Sequence, residues 1–333
     1  MSSEAPAYDI ILFVKLSEIG EFGLIDLIAK REPKLSNTLI GIGDDAAVLK
    51  AKGKYQLITT DTFIENVHFT LKKASFFALG RKVMAANISD IAAMGGYPTH
   101  ALVTIGLPKK ITVKQVQQLY QGINSLARRY KIDIVGGDTI ASPREVVISI
   151  TLLGEVEKRY LLTRSGAKPG NLILVTGAFG GPAARKFVIR NASCVIRLKE
   201  AHNIAKSRRA TSMIDSSDGL VRSVLELCKA SRMGARIYED LVPIAKGASL
   251  SQALYGGEEY ELVFTANKKD LTSLRKIVKI LVVGEIVPRP PAGRAGKFGV
   301  KLVDSYGRIK PPKSGGYEHF SAGGGSAFGG KSI

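Results

Sequence analysis

Aspartates set beside small or hydroxyl-bearing residues are the first feature with chemical consequence. They are Asp44 and Asp45 in GIGDDAAVL, Asp61 in TTDT, Asp90 in NISD, Asp138 in GGDT, and Asp215 with Asp218 in DSSDG. A hard cation such as Mg²⁺ takes carboxylate oxygens and completes its shell with hydroxyls, waters and substrate phosphates, so Thr59 and Thr60 next to Asp61 add oxygen donors. The same residue pairs also make turns and helix caps, which is the alternative for any one motif taken alone. Asp90 fits that alternative least. It falls inside a helical pattern, where Asp is a poor former and no cap is needed, with Asn87 one turn earlier on the same face.

Gly136-Gly137-Asp138-Thr139 and Thr163-Arg164-Ser165-Gly166-Ala167-Lys168 supply complementary chemistry. Glycine lets the backbone come close to a ligand, and basic side chains bridge phosphate oxygens. Ser217-Asp218-Gly219, at a helix start, either caps that helix or leaves amides free for an anion. Together these segments describe a polyphosphate held through divalent ions. The literal P-loop match at Gly325 to Ser332, GSAFGGKS, is set aside, because a glycine-rich stretch rather than a strand precedes it and no helix follows. His68 in NVHF can be a general base, a substrate contact or a structural histidine. Gly256 to Glu261, GGEEYE, brings three carboxylates together, suited to a cationic substrate or to a turn entering an edge strand.

The elements that must position these residues follow from periodicity. LSEIGEFGLIDLIAKRE (16–32) reads as an amphipathic helix or a pair broken at its central glycines, ended by the loop PKLSN. YQLITTDT (55–62) and ALVTIGL (101–107) read as strands. Between them, residues 75–96 carry Phe76, Leu79, Val83, Ile88 and Ile91 at helical intervals and stop at Gly95-Gly96. Thr112 and Gln115 form a capping-box pattern that opens a helix to about Tyr130, followed by IDIVGGDT (132–139) and the strand VVISITLLGEV (146–156). Pro169-Gly170 then precedes a new strand at 171–177, and the alternation restarts. The second half reads as a basic helical stretch over 182–210, a helix from Ser217 to Arg232, and strands at 259–265 and 280–287. The Gly/Ser-rich stretch 321–333 reads as a flexible tail.

Composition bounds the class. The 333 residues, 45% hydrophobic and 23% charged, suffice for two domains with full cores and exclude a disordered chain. No apolar run is long enough to span a membrane, and MSSEAPAYDI lacks a signal-peptide pattern, so a cytoplasmic protein is expected. Cys194 and Cys228 fit neither a disulfide framework nor a zinc site. The net charge of +19 suits polyanionic substrates or nucleic acid. The basic run from Arg185 to Arg209 carries a single interleaved aromatic, Phe187, and no recognisable binding module, which argues against a specific nucleic-acid partner.

In order, GEFGLI (20–25), GIGDDAAVL (41–49), TTDTFIENVHF, NISDIAAMGG (87–96), VGGDT (135–139), LTRSGAKPG (162–170), DSSDGL (215–220) and GGEEYEL (256–262) resemble the thiamine-monophosphate kinase family, within the aminoimidazole ribonucleotide synthetase superfamily. The resemblance runs from about Gly20 to Phe320. It implies a two-domain α/β (α+β) fold, each domain a mixed sheet packed with helices: an ATP/Mg-binding and dimerisation domain over 1–156, and a second α/β domain over 157–320. It implies a homodimeric kinase that moves the γ-phosphoryl of ATP onto thiamine monophosphate. By that resemblance Asp45, Thr59, Thr60, Asp61, Asp90, Asp138, Asp215 and Asp218 hold several Mg²⁺ ions. Gly137, Asp138, Arg164, Ser217 and Tyr120 meet ATP, and His68, Glu258 and Tyr317 of GGYEHF meet the thiamine substrate. The stretch EAHNIAKSRRATSMID departs from the family pattern by lacking a proline and arginine segment. Selenophosphate synthetases and hydrogenase-maturation relatives would carry a cysteine near one terminus, where this chain has none, leaving aminoimidazole ribonucleotide synthetase as the nearest alternative.

Overall fold

The computed structural model describes residues 14–30, 35–186, 188, 196–289, 299–313 and 315–320. The first half runs α1 (Leu16–Ala29), β1 (Thr38–Ile40), β2 (Ala47–Lys50), β3 (Tyr55–Ile64), α2 (Phe76–Ala93), β4 (Tyr97–Leu107), α3 (Val113–Tyr130), β5 (Asp133–Ala141) and β6 (Val147–Val156). The second half runs β7 (Asn171–Val175), α4 (Gly181–Ala184), α5 (Leu198–Ser207), β8 (Ala210–Asp215), α6 (Leu220–Ser231), β9 (Gly234–Tyr238), α7 (Leu250–Tyr255), β10 (Leu262–Asn267), α8 (Leu271–Arg275), β11 (Leu281–Val287), β12 (Val300–Val303) and β13 (Ile309–Lys310). Each half forms one mixed sheet, in the order β1-β2-β3-β6-β4-β5 and β13-β12-β9-β11-β7-β10-β8. Pairing is antiparallel except for β4 with β5 and β12 with β9.

α2 is the hub of the molecule. Ser75 caps its start by accepting the Ala78 amide, and Gly95, at φ 73°, turns the chain out after its end. Buried residues lie all round it, because β3 and β6 cover one side, α3 another, and α5 with β8 of the second half the rest. α3 starts with the capping box anticipated at Thr112 and Gln115. The two helices meet backbone to backbone: a Cβ on Gly80 would stand 2.1 Å from the Leu119 carbonyl, and one on Gly122 2.0 Å from that of Phe77. Gly122→Ala is therefore expected to cost about 1–3 kcal/mol by forcing the helices apart, seen as a lower thermal midpoint.

The second sheet is covered on both faces. Ile173, Val175, Ile214 and Val263 face α6 and α7, while Leu174, Met213, Leu262 and Phe264 face a cluster that includes Ala92 of α2 and Leu274 of α8. A strand buried on both sides shows no alternation. That explains why β8 was not anticipated: only its first residue, Ala210, falls in the basic helical stretch expected over 182–210. The described residues of that stretch instead divide into the four-residue α4, a turn through Lys186 at φ 53°, the ten-residue α5, and the start of β8, while 187 and 189–195 lie outside them. The strand anticipated at 259–265 begins only at Leu262, and it is interior, between β7 and β8. α1 is the broken pair, kinked at Gly20 with φ 67°. The tail 321–333, with its P-loop-like match, lies outside the described residues.

Candidate active site

Segments remote in sequence end at one point. The Asp44-Asp45 turn leads into β2, Asp90 sits near the end of α2, and Asp215 closes β8. Carboxylate oxygens of Asp45, Asp90 and Asp215 all lie within 4.8 Å of one another. Hydroxyls orient two of them: Thr59 Oγ1 donates to Asp90 Oδ2 at 2.7 Å, and Ser89 Oγ to Asp215 Oδ2 at 2.6 Å. Arg164 donates through Nε and Nη2 to Asp45 Oδ1 at 3.1 and 2.6 Å. Its backbone amide reaches the Asp44 carboxylate at 3.2 and 3.1 Å.

Burial is the leading cause that pushes these carboxyls up, and neighbouring carboxylates add to it at Asp44, Asp90, Asp215 and Asp218. Asp61 rises to about 6, Asp44 and Asp218 to about 7, Asp215 to about 8, and Asp90 well above the ordinary range. Burial also raises Asp45, with Arg164 opposing. Asp45 Oδ2 is buried with no hydrogen-bond partner among the described residues. Converging oxygens, one of them orphaned, in surroundings that penalise their negative charge, fit a hard divalent cation such as Mg²⁺.

Through Asp90, and with Asp61 and Asp218, this cluster reaches a cleft of about 320 Å³. Asp61, Asp90, Ser217 and Asp218 form its acidic wall; Phe63, His68, Tyr317 and His319 form an aromatic one, with Glu21 and Glu258 beside them. The rings of His68 and His319 are 5.2 Å apart, those of Tyr317 and His319 5.1 Å, and those of Phe63 and His68 5.4 Å. His68 Nδ1 accepts the Ile64 amide at 3.0 Å, which leaves Nε2 to carry the proton of the neutral ring. Burial, then the charges of His319 and Lys82, lower its pKa to about 4. His68 is thus held neutral.

The three carboxylates of the 256–261 loop diverge. Glu258 pairs with Lys82 of α2, Glu259 accepts the Gly180 amide at 2.6 Å, and Glu261 takes Nε and Nη2 of Arg197, both at 2.7 Å, with the Thr176 hydroxyl. Only Glu258 of the three lines the cleft.

The structure therefore brings together Asp45, Thr59, Asp61, Asp90, Arg164, Asp215, Ser217 and Asp218, with His68, Glu258 and Tyr317 across the cleft. It does not bring Thr60, Tyr120, Gly137 or Asp138 there. Strand alternation puts Thr60 on the face opposite Thr59 and Asp61, where its hydroxyl accepts from Thr151 at 3.1 Å. Tyr120 packs from α3 against the first core. Gly137 and Asp138 lie on edge strand β5, three strands from β3 and so about 14 Å along the sheet, and Asp138 accepts the Thr139 amide at 2.8 Å. Ser217 does not cap α6; Gly219, at φ 101°, occupies that position. Sequence reasoning missed Ser89, Glu21, His319 and Lys82. GEFGLI and GGYEHF held the signal for Glu21 and His319, while nothing in the pattern marks Ser89 or Lys82.

This architecture is that of the AIR synthase related proteins: the model of their N-terminal domain matches residues 43–156 and that of their C-terminal domain residues 168–294. Thiamine-monophosphate kinase from Bacillus subtilis (strain 168) is 35% identical, over 78% of this chain and 87% of its own, and that of Escherichia coli (strain K12) is 35% identical over 74% and 82%. The chain belongs to the thiamine-monophosphate kinase family. A solved structure described as AaThiL complexed with AMPPCP and TMP is similar with a TM-score of 0.77 at 29% identity, covering 92% of this chain and 99% of that one. A HypE–HypF complex matches with a TM-score of 0.67 at 17% identity over 87% of this chain and 98% of that one, a likeness of fold alone. No helix among the described residues is long and apolar enough to cross a membrane.

Proposed function

We propose that the protein transfers the γ-phosphoryl of ATP onto the phosphate of thiamine monophosphate, giving thiamine diphosphate and ADP. The observation that carries this reading is the junction, in one cleft, of an acidic oxygen cluster with an aromatic wall edged by Glu258 and Glu21. The first suits a metal-bound polyphosphate and the second a cationic thiazolium. The names of the relatives and the AMPPCP and TMP in the similar structure support the same assignment.

Asp45, Asp61, Asp90, Asp215 and Asp218 would hold Mg²⁺, which when bound neutralises the charge on the phosphate oxygens. Thr59 and Ser89 orient Asp90 and Asp215 by donating to one oxygen of each, and Arg164, held on Asp45, is a cation close to where phosphates enter. An acceptor phosphate is already anionic at neutral pH, so the step asks for alignment rather than proton removal. His68, kept neutral with its Nδ1 engaged, fits a wall and donor role rather than a base.

Our reading divides the chain into an ATP/Mg-binding unit (1–156) and a second α/β unit (157–320), since each sheet falls within one of them. The open edge of β5 and the exposed Val135 and Ile140 support pairing with a second copy through the first unit. ATP-dependent use of a phosphorylated metabolite fits the cytoplasm. The test is to incubate purified protein with ATP and Mg²⁺, with and without thiamine monophosphate. Thiamine diphosphate rising mole for mole with ADP is the expected result; ADP without it would overturn the acceptor assignment.

A further inference from the structure

Lys82 is a buried cation on a helix whose buried side chains are mostly apolar, and it is only 4% exposed. Burying an ammonium is costly unless it is paired, and the partner is a cleft residue: Lys82 Nζ meets Glu258 Oε1. Lys82 does not itself line the cleft, yet it touches its wall from behind. Its Nζ lies 5.5 Å from the Phe63 ring centre, and its charge helps suppress protonation of His68. Phe63, His68 and Glu258 all face the cleft.

The loop that carries Glu258 is held in an uncommon shape. Glu258 and Tyr260 adopt left-handed backbone at φ 68° and 52°, which is unfavourable for non-glycine residues. Their amides are pinned to the Ser217 and Ser216 carbonyls at 2.6 and 2.9 Å. Backbone placement is thus set by the DSSDG segment, and side-chain placement by α2. Ser89, two helical turns after Lys82 and on the same face, holds Asp215 in the same way. One face of α2 therefore grips Glu258 at the cleft and the buried Asp215 of the acidic cluster beside it.

We infer that Lys82 is a positioning residue for acceptor recognition: it fixes the Glu258 carboxylate through one oxygen so that the remaining oxygen faces the cationic part of the acceptor. This rests on the acceptor reading of the cleft given above. ATP, assigned to the acidic wall, should be indifferent to it.

The experiment is steady-state kinetics of wild type, Lys82→Met, Lys82→Arg, Glu258→Gln and the double variant K82M/E258Q, with thiamine monophosphate and ATP varied in turn. Lys82→Met is expected to raise KM for thiamine monophosphate about tenfold or more, with KM for ATP within about twofold. Lys82→Arg should recover most of the loss. Because Lys82 acts through Glu258, the double variant should be no worse than Glu258→Gln alone. It removes both charges, so it stays measurable if Lys82→Met, left with an unpaired half-buried carboxylate, does not fold. An unchanged KM for thiamine monophosphate in Lys82→Met, or additive losses in the double variant, would overturn the inference while leaving the kinase reading intact. Absence of thiamine diphosphate from the wild type would overturn both.

Discussion

Asp90→Asn should lower thiamine diphosphate formation at least about 100-fold while making the metal-free protein more stable. The two effects have one cause. Asp90 lies within 4.8 Å of Asp45 and Asp215, and its carboxyl is pushed far up by burial and then by Asp61, Asp215 and Asp45. Without a cation that arrangement stores repulsion, which an amide of the same shape removes. With a cation, the lost charge is a lost ligand. A carboxyl acting only as a structural hydrogen-bond acceptor from Thr59 would behave oppositely, because Asn keeps an acceptor oxygen for that hydroxyl and activity would survive. Turnover assays paired with thermal melts in chelator separate the cases: full activity in Asp90→Asn sinks the metal assignment. Asp61→Asn, one carboxylate further along the same wall, should follow the same pattern with a smaller gain in stability, since burial alone raises its pKa.

What could be read from the chain depended on whether a residue's surroundings leave a local trace. α2 and α3 were legible from caps and spacing, because Gly95 and the Thr112–Gln115 box act within a turn of the residues they cap. β1, β2, β9, β12 and β13 run two to five residues and were not, since so few positions carry no period. The carboxylates were legible by type, and their convergence was not. Strand alternation already implies that only one of Thr59 and Thr60 can share a face with Asp61, and that constraint excludes Thr60. Distance along a sheet is less visible: the GGDT motif looks like its fellow motifs, yet pairing order sets Asp138 three strands away from Asp61. Arg81 and Lys82 show the limit. They are adjacent and both basic; one donates to Ser125 on α3 and the other reaches Glu258 at the cleft. Helical spacing alone does not separate them, because buried residues lie almost all round this helix.

The second large effect is in the pH dependence of stability, and its sign is unusual. Carboxyls in folded proteins are commonly stabilised as anions, so that stability falls as acid protonates them. Here the folded-state values lie above the ordinary 3.8, at about 6 for Asp61, 7 for Asp44 and Asp218, and 8 for Asp215. Between roughly pH 4 and 8 the native metal-free protein holds protons that the unfolded chain has released, so stability must fall as pH rises through that window. Glu259, raised to about 7 by burial, pulls the same way. His68 opposes: its pKa, lowered from 6.5 to about 4, adds stability as pH rises between those values, and that gain is complete before Asp44, Asp215 and Asp218 have finished titrating. The thermal midpoint in chelator should therefore decline from pH 6.5 to 8.5. Millimolar Mg²⁺ should abolish most of that decline and raise the midpoint more at pH 8 than at pH 6, because the ion competes with protons for the same oxygens. A midpoint that rises with pH in chelator, or a Mg²⁺ effect of equal size at both pH values, would mean that these carboxylates are already stabilised as anions by the protein alone, leaving the cluster no need of a cation.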